Sequence, residues 1–247
     1  NALEQALTIK DMREGSEVYI LTMGPVRAAD IIRDAMFRGA DGGYLLTDRA
    51  FAGADTLATS YALSRALKEI KPDIIVAGRQ AIDGDTAQVG PQVAEKLGLP
   101  QVTYAEQIVR LTDKEIVIKR RLDNGVETVS SPYPMVMTVN GSAPECRPMN
   151  AKRVMKYKHA KTRSELQDAG EDYMVQLLEA RGYLKITEWN VGDIDADPNQ
   201  LGLLGSPTKV KQIESVVFQA KESRRMSGSD EDINSLMQEL IASHTLG

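Results

Sequence analysis

The sequence has few of the residues that build disulfides, zinc sites or membrane spans. It contains one cysteine, Cys146, and two histidines that lie far apart, His159 and His244. Neither a disulfide within the chain nor a zinc pattern is therefore predicted. Because no apolar run approaches about 18 residues, no membrane span is predicted either. We expect a cytoplasmic protein in a reducing setting.

A basic excess and the common catalytic patterns are also lacking. The formal net charge is -5, from 30 Lys and Arg against 35 Asp and Glu, which argues against a nucleic-acid surface. No Ser/His/Asp or Cys/His constellation and no Walker loop occurs. Asp83 and Asp85 lack the neighbouring ligands of a six-oxygen site, so no metal is predicted. The exception to the charge balance is a local basic run of Lys152, Arg153, Lys156, Lys158, Lys161 and Arg163.

Residues 1–100 alternate between strand and helix periodicity. Strands are predicted at 18–22, 43–47 and 74–77, with helices at 28–37, 55–70 and around 93–97. Such alternation predicts right-handed βαβ units in a doubly wound α/β sandwich with a mostly parallel sheet. The sequence begins inside an amphipathic segment, and we expect a strand to precede it.

After Pro100 the pattern changes to period two. Segments 107–111, 115–119 and 126–129, with a turn at 123–125, predict an antiparallel meander that extends the sheet, and 135–139 predicts another buried strand. Helices are expected at 164–180 and 230–242. We assign 1–189 to the nucleotide-binding domain and 190–247 to a C-terminal arm, because the latter has too little apolar surface for a core of its own. A long ordered surface arm is the alternative to packing on another subunit.

Three loops are predicted at the carboxyl edge of the sheet, where open α/β sheets bind nucleotides. The most informative follows the third strand and is rich in glycine, amide and aspartate. Thr86 or Asp85 is the expected N-cap of the next helix, leaving backbone N–H groups for a phosphate. A polar connection without a ligand is the alternative. The loop comprises Gly78, Arg79, Gln80, Ala81, Ile82, Asp83, Gly84, Asp85, Thr86, Ala87, Gln88 and Val89.

The other two loops follow the first and second strands. The first carries Thr22, Met23 and Gly24, and the glycine would permit close approach of a ligand. The second offers a capped helix start for another anionic group; its candidate residues are Phe51, Ala52, Gly53, Asp55 and Thr56. The alternative for this second loop is a simple helix cap with Phe51 in the core.

The string from Gly78 to Gln88 resembles the signature of the beta subunit of electron-transfer flavoproteins. That signature, Gly-Lys/Arg-Gln-Ala-Ile-Asp-x-Asp-x-x-Gln, binds an adenine nucleotide in the family, and every fixed position is matched here. The loop at 48–56 resembles the version found in flavin-based electron-bifurcating members, whose beta subunit holds FAD and receives NADH. Gly84 and Val89 favour the same version. Ordinary members carry structural AMP in the corresponding site.

The resemblance implies a heterodimer with an alpha subunit. In the bifurcating version, hydride from NADH reaches the FAD of this subunit. One electron then passes to ferredoxin or flavodoxin and the other, through the FAD of the alpha subunit, to an acyl-CoA or other flavin dehydrogenase. The chemistry is that of the cofactor, with Arg79 tuning the flavin. An adenine-nucleotide-binding regulator without redox partners is the remaining alternative.

The segment 144–156 resembles the docking loop with which the family contacts a dehydrogenase. Met149 is the expected apolar anchor and Met155 the second candidate, since methionine suits adaptable interfaces. The surrounding basic charges could steer an acidic partner, or they could simply form a solvated face. The turn at 205–209 resembles an element near the subunit junction of bifurcating relatives, and the sequence assigns it no role.

Overall fold

The computed structural model describes residues 1–169, 175–176, 178, 180–208, 223 and 225–243. The chain forms two compact units, Asn1–Lys209 and Val210–Gly247. None of the helices within these described ranges is both long and apolar enough to cross a membrane.

The first part of the chain alternates helices and strands as predicted. The apolar runs of the strands are covered by helices whose buried faces carry small residues, such as Ala58, Ala62 and Ala66 of the third helix. Short 3-10 turns at Val26–Ala28 and Arg49–Phe51 follow the first two strands. The elements are α1 (Ala2–Met12), β1 (Tyr19–Met23), α2 (Ala29–Arg38), β2 (Gly42–Leu46), α3 (Thr56–Ile70), β3 (Ile74–Gly78) and α4 (Val89–Leu97).

The second part contains the predicted meander and the last strands. Leu122 pairs with Gly125 across a two-residue turn, 123–124, which lies within the turn predicted at 123–125. Of the helix predicted at 164–180, the structure contains a segment beginning at Arg163, while residues 170–174, 177 and 179 lie outside the described residues. The elements are β4 (Gln101–Leu111), β5 (Glu115–Leu122), β6 (Gly125–Pro132), β7 (Met135–Val139), α5 (Ala151–Tyr157), α6 (Arg163–Ala169) and β8 (Thr187–Trp189).

The strands form two hydrogen-bonded sheets. One has the order β1-β2-β8 and is entirely parallel. The other has the order β3-β7-β4-β5-β6, in which β3, β7 and β4 are parallel and β4, β5 and β6 are antiparallel. The predicted fold class, a parallel α/β arrangement extended by an antiparallel meander, is confirmed.

A cavity of about 1240 Å³ lies between the two sheets. Residues of both β1 and β3 line it, together with apolar side chains of α1, α3 and α4. Gly78, Val89 and Gly90 also line it, so the cavity reaches the point where β3 passes into its loop.

Residues 190–208 pack within the first unit, which therefore extends past the predicted boundary at 189. Ile194 and Leu201 are buried in a cluster with Leu46 and Phe51. This contact brings the segment against the loop that follows β2.

The second unit contains α7 (Asp230–Ala242), as predicted. The side chain of Ser229 caps the helix by accepting a hydrogen bond from the backbone N–H of Asp232. Four apolar side chains at helical spacing are exposed: Ile233, Leu236, Met237 and Ile241. They form one apolar stripe of the kind that helices bury against another surface.

Candidate functional site

The loop after β3 is open to solvent. Residues 78–86 are exposed, and the side chain of Ile82 at its tip is fully exposed. A Cβ atom added at Gly78 or Gly84 would meet nothing within 4 Å. Space for a ligand therefore exists beside both glycines.

The start of α4 differs from the prediction. The N-cap is Gln88, which makes no side-chain cap hydrogen bond, so the expectation that Thr86 or Asp85 caps this helix is wrong. The backbone is left-handed at Asp85 (φ 48°) and Ala87 (φ 53°), which postpones the helix to Val89. The backbone N–H groups of the first turn consequently have no side-chain cap.

The acidic and basic side chains of this loop differ in their hydrogen bonding. Asp83 accepts a hydrogen bond from the Gly84 N–H, and Asp85 accepts one from the Gln80 side chain. Within the described part of the chain, Arg79 makes no hydrogen bond or ion pair. The acidic groups thus have partners in the loop, and the guanidinium group does not.

Two further arginines follow the parallel strands in the same way, and sequence reasoning missed both. Arg27 comes after β1 and Arg49 after β2; both are exposed and, among the residues that are described, the side chain of neither has a hydrogen bond or an ion pair. The signal was available, because Arg27 and Arg49 follow the predicted strands at 18–22 and 43–47 by five and two residues.

The loop after β2 is stabilised by a cap, a buried side chain and a covering segment. Asp48 caps the 3-10 turn by accepting from the Ala50 N–H, and Phe51 is 6% exposed. The segment around Leu203 covers the loop, with the Leu203 N–H donating to the carbonyl of Ala52 at 3.0 Å. Ala52 and Gly53 remain exposed beside it.

Asp55 is the N-cap of α3, so the helix start predicted in this loop is capped. Its Oδ1 accepts from the backbone N–H groups of Leu57 and Ala58, both at 3.0 Å. Its Oδ2 accepts from the N–H and the hydroxyl of Thr208 at 3.1 and 2.8 Å. Burial of the carboxyl opposes ionisation, but these hydrogen bonds outweigh it and lower the pKa of Asp55.

The first residue of α3 links the two loops. The Thr56 hydroxyl donates to Gln88 Oε1 at 3.0 Å, and Gln92 Nε2 lies 3.4 Å from the same hydroxyl. Gln92 Oε1 is buried and has no hydrogen-bond partner in the part of the chain described. The two loops predicted from separate stretches of sequence therefore adjoin.

The loop after β1 joins this edge through the sheet. Thr22 and Met23 pair with Leu45 and Leu46 of β2, and the Gly24 N–H donates to the Leu46 carbonyl at 3.0 Å. A Cβ atom at Gly24 would come within 3.2 Å of that of Ala28, so a side chain there would crowd the following turn.

The predicted docking residues lie elsewhere. Met149 and Met155 are 47% and 65% exposed. The backbone N–H of Asn150 donates to the carbonyl of Phe37 near the end of α2, and α2 runs back from the carboxyl end of β1. The docking segment is thus located toward the opposite edge of the sheet from the three loops.

These features define a parallel α/β domain with three loops at the carboxyl ends of its strands. Comparison with known proteins identifies its family. Residues 1–162 match the electron transfer flavoprotein domain. The chain is 38% identical over 242 residues to the electron transfer flavoprotein subunit beta of Clostridium acetobutylicum, covering 98% of this chain and 80% of that protein.

Two relatives carry other names. The caffeyl-CoA reductase-Etf complex subunit CarD of Acetobacterium woodii is 42% identical over 211 residues, or 85% of this chain and 71% of its own length. Protein FixA of Rhizobium meliloti is 37% identical over 249 residues, or 98% and 77%. The chain belongs to the electron transfer flavoprotein family and is similar to its beta subunits, which function in electron transfer.

Proposed function

We propose that this chain is the beta subunit of an electron-bifurcating flavoprotein and binds FAD at the edge formed by the three loops. The observation that carries the proposal is Arg79, which has no partner among the described residues, in an open loop whose aspartates already have partners. A cation without a protein partner at the carboxyl end of a parallel strand suits the diphosphate or the reduced flavin.

The residues of this edge fit a diphosphate-bearing nucleotide. The uncapped first turn of α4 offers N–H donors. Gly78 and Gly84 leave the backbone accessible. Gln92 Oε1, in the first turn of α4, is buried without a hydrogen-bond partner among the described residues and offers an acceptor. In the proposal, Thr22, Met23, Gly24, Phe51, Ala52, Gly53 and Thr56 border the ligand, along with Gly78 to Val89.

The chemistry supplied by bound FAD would be acceptance of hydride from NADH and release of the two electrons separately, toward ferredoxin or flavodoxin and toward the FAD of an alpha subunit. The chain itself binds and orients. Arg79 contributes a fixed positive charge, and the loops present backbone donors. The name of CarD, a subunit of a caffeyl-CoA reductase-Etf complex, supports a redox complex.

We further propose that the alpha subunit and a dehydrogenase bind at separate surfaces. The exposed apolar stripe of α7 suits a large partner subunit, whereas residues 190–208 of the expected arm pack within the first unit. Met149 and Met155 would anchor a dehydrogenase far from the cofactor loops. Substitution Met149→Asp should then slow electron delivery to the dehydrogenase without changing reduction by NADH. Val126→Asp is the control, because Val126 is equally exposed (46%) but lies in β6 of the antiparallel meander.

Counting cofactors tests the main proposal. The heterodimer is purified and denatured, FAD and AMP in the supernatant are quantified, and the native complex is titrated with NADH. Two FAD molecules per heterodimer and bleaching by NADH are expected. One FAD with one AMP and no response to NADH would identify the ordinary electron carrier. Adenine nucleotide bound to a chain that needs no alpha subunit would favour the regulator.

A further inference from the structure

A short segment near the end of the first unit, residues 202–206, contacts the loop after β2. Gly202 is left-handed (φ +50°), and a Cβ atom there would collide with the carbonyl oxygens of Ala50 and Ala52. The Ser206 hydroxyl accepts from the Asp55 N–H at 2.8 Å and donates to the Gly202 carbonyl at 2.6 Å. The segment and the loop are therefore in direct backbone contact.

The carboxylate of Asp55 is fully used by protein donors. Leu57 and Ala58 occupy Oδ1, and Thr208 alone supplies two donors to Oδ2. A carboxylate that already accepts four hydrogen bonds has little capacity left for a ligand. It would also repel a diphosphate at short distance.

The residue after Asp55 connects it to the loop after β3. Thr56 follows Asp55 directly, and its hydroxyl bonds to the side chain of Gln88. Gln88 is the N-cap of α4 and the last residue before the helix. Hydrogen bonds from Thr208 to Asp55 and from Thr56 to Gln88, joined by the peptide bond between Asp55 and Thr56, thus connect Thr208 to Gln88.

We propose that Asp55 and Thr208 are positioning residues, which set the Gly78–Val89 loop through Thr56 and Gln88 and do not touch the nucleotide. This inference rests on the proposed function only for the identity of the ligand. It revises the expectation that Asp55 contacts the cofactor, and it gives a role to the turn at 205–209.

Three substitutions in the full chain test the proposal. Thr208→Val removes the hydroxyl and keeps the shape, while Thr208→Ser restores the donor. Asp55→Asn retains an oxygen for capping α3 and places an amide donor against Thr208. Thr112→Val is the matched control, because it removes a hydroxyl that donates to the Glu115 carbonyl in the β4–β5 turn.

The first measurement is amide hydrogen exchange over residues 79–89 without added nucleotide. Thr208→Val and Asp55→Asn should accelerate exchange there about five- to tenfold, as expected for the loss of one hydrogen bond of typical net strength. Thr208→Ser should return it to the wild-type rate. Unchanged exchange in both variants, equal acceleration in Thr208→Ser, or the same acceleration in Thr112→Val would overturn the proposal.

The second measurement is titration with FAD and, separately, with AMP. Thr208→Val should weaken binding of the nucleotide that the wild type takes by a similar factor, and Thr208→Ser should restore the wild-type affinity. Accelerated exchange together with wild-type affinity would show that these contacts order the loop but do not affect nucleotide binding. That outcome also contradicts the proposal. A wild type that takes AMP and not FAD would refute the proposed function and leave the positioning role intact.

Discussion

The loops after β2 and β3 share their sequence signals but differ in what surrounds them. Each follows a parallel strand, precedes a helix and carries glycine and aspartate. The loop after β2 has a buried phenylalanine, a capped helix and a covering segment. The loop after β3 is exposed and starts a helix without a side-chain cap. The first is suited to rigid support and the second to direct contact with a ligand.

Backbone conformation supports the same division. In the exposed loop, the left-handed residues are Asp85 and Ala87, which bear side chains. Each such conformation costs on the order of 1 kcal/mol and persists where the surroundings or a function require it. In the covered loop, the left-handed position is Gly53, where the conformation costs little. Strain is therefore concentrated in the loop that has open space around it.

The largest expected contrast is between the two bulky apolar residues of these loops. Phe51→Ala should lower the free energy of unfolding by about 3–4 kcal/mol, because it empties a site among Leu46, Ile194 and Leu201. Ile82→Ala should change it by less than about 0.5 kcal/mol, since the side chain is fully exposed. Urea unfolding of the two variants measures the difference, and similar losses would contradict the contrast between covered and open loops.

The next contrast compares glycines. Gly202→Ala should cost about 2–3 kcal/mol, because its Cβ would collide with backbone carbonyls that cannot move aside and its φ is positive. Gly84→Ala should cost less than about 0.5 kcal/mol, because a Cβ there meets nothing within 4 Å. Thermal and urea unfolding check both values. A tolerated Gly202→Ala would mean that the covering segment can shift away from the loop.

The course of the chain was largely predictable from its periodicity. The observed strands β1, β2 and β3 and the helices α2, α3 and α7 lie within about two residues of their predicted bounds, because burial on one face imposes the period directly. The capping role of Asp55 was also predictable, since the residue type and its position before an apolar run specify it.

Long-range features were not predictable. The contact of Thr208 with Asp55 joins residues 153 positions apart, and no local pattern reports such a pairing. The insertion of β7 between β3 and β4 is likewise a matter of tertiary packing. The cap of α4 was mispredicted because left-handed residues after Asp83 delayed the helix, which overrode the cap preference of Asp85 and Thr86.

A smaller effect is expected at the ligand itself. Arg79→Ala should weaken FAD binding about tenfold, equivalent to ~1.4 kcal/mol, because it removes a charge-assisted contact. Unfolding of the nucleotide-free chain should not change, since the arginine has no partner among the described residues. Fluorescence titration with FAD measures the first quantity. Arg110→Ala, which removes an exposed arginine paired with Glu115, is the control; equal losses of affinity would deny Arg79 a specific role.

The smallest expected effect concerns acid stability of the covered loop. The pKa of Asp55 is lowered by hydrogen bonds that exist only in the folded chain. Its stabilising contribution is therefore complete above the ordinary aspartate pKa and is lost as the pH falls through the lower, folded pKa. We expect Asp55→Asn to reduce the free energy of unfolding by about 1 kcal/mol at pH 7, because the amide still caps α3 but no longer accepts from Thr208.

The difference between wild type and Asp55→Asn should narrow as the solution is acidified below the ordinary aspartate range, because a protonated carboxyl loses the same interaction. Urea unfolding of both proteins across that range measures the difference, and Thr112→Val should show a loss that does not depend on pH, since no titrating side chain is its acceptor. A constant difference for Asp55→Asn would mean that its charge contributes nothing to the covered loop. The contrast between the two loops would then rest on packing alone.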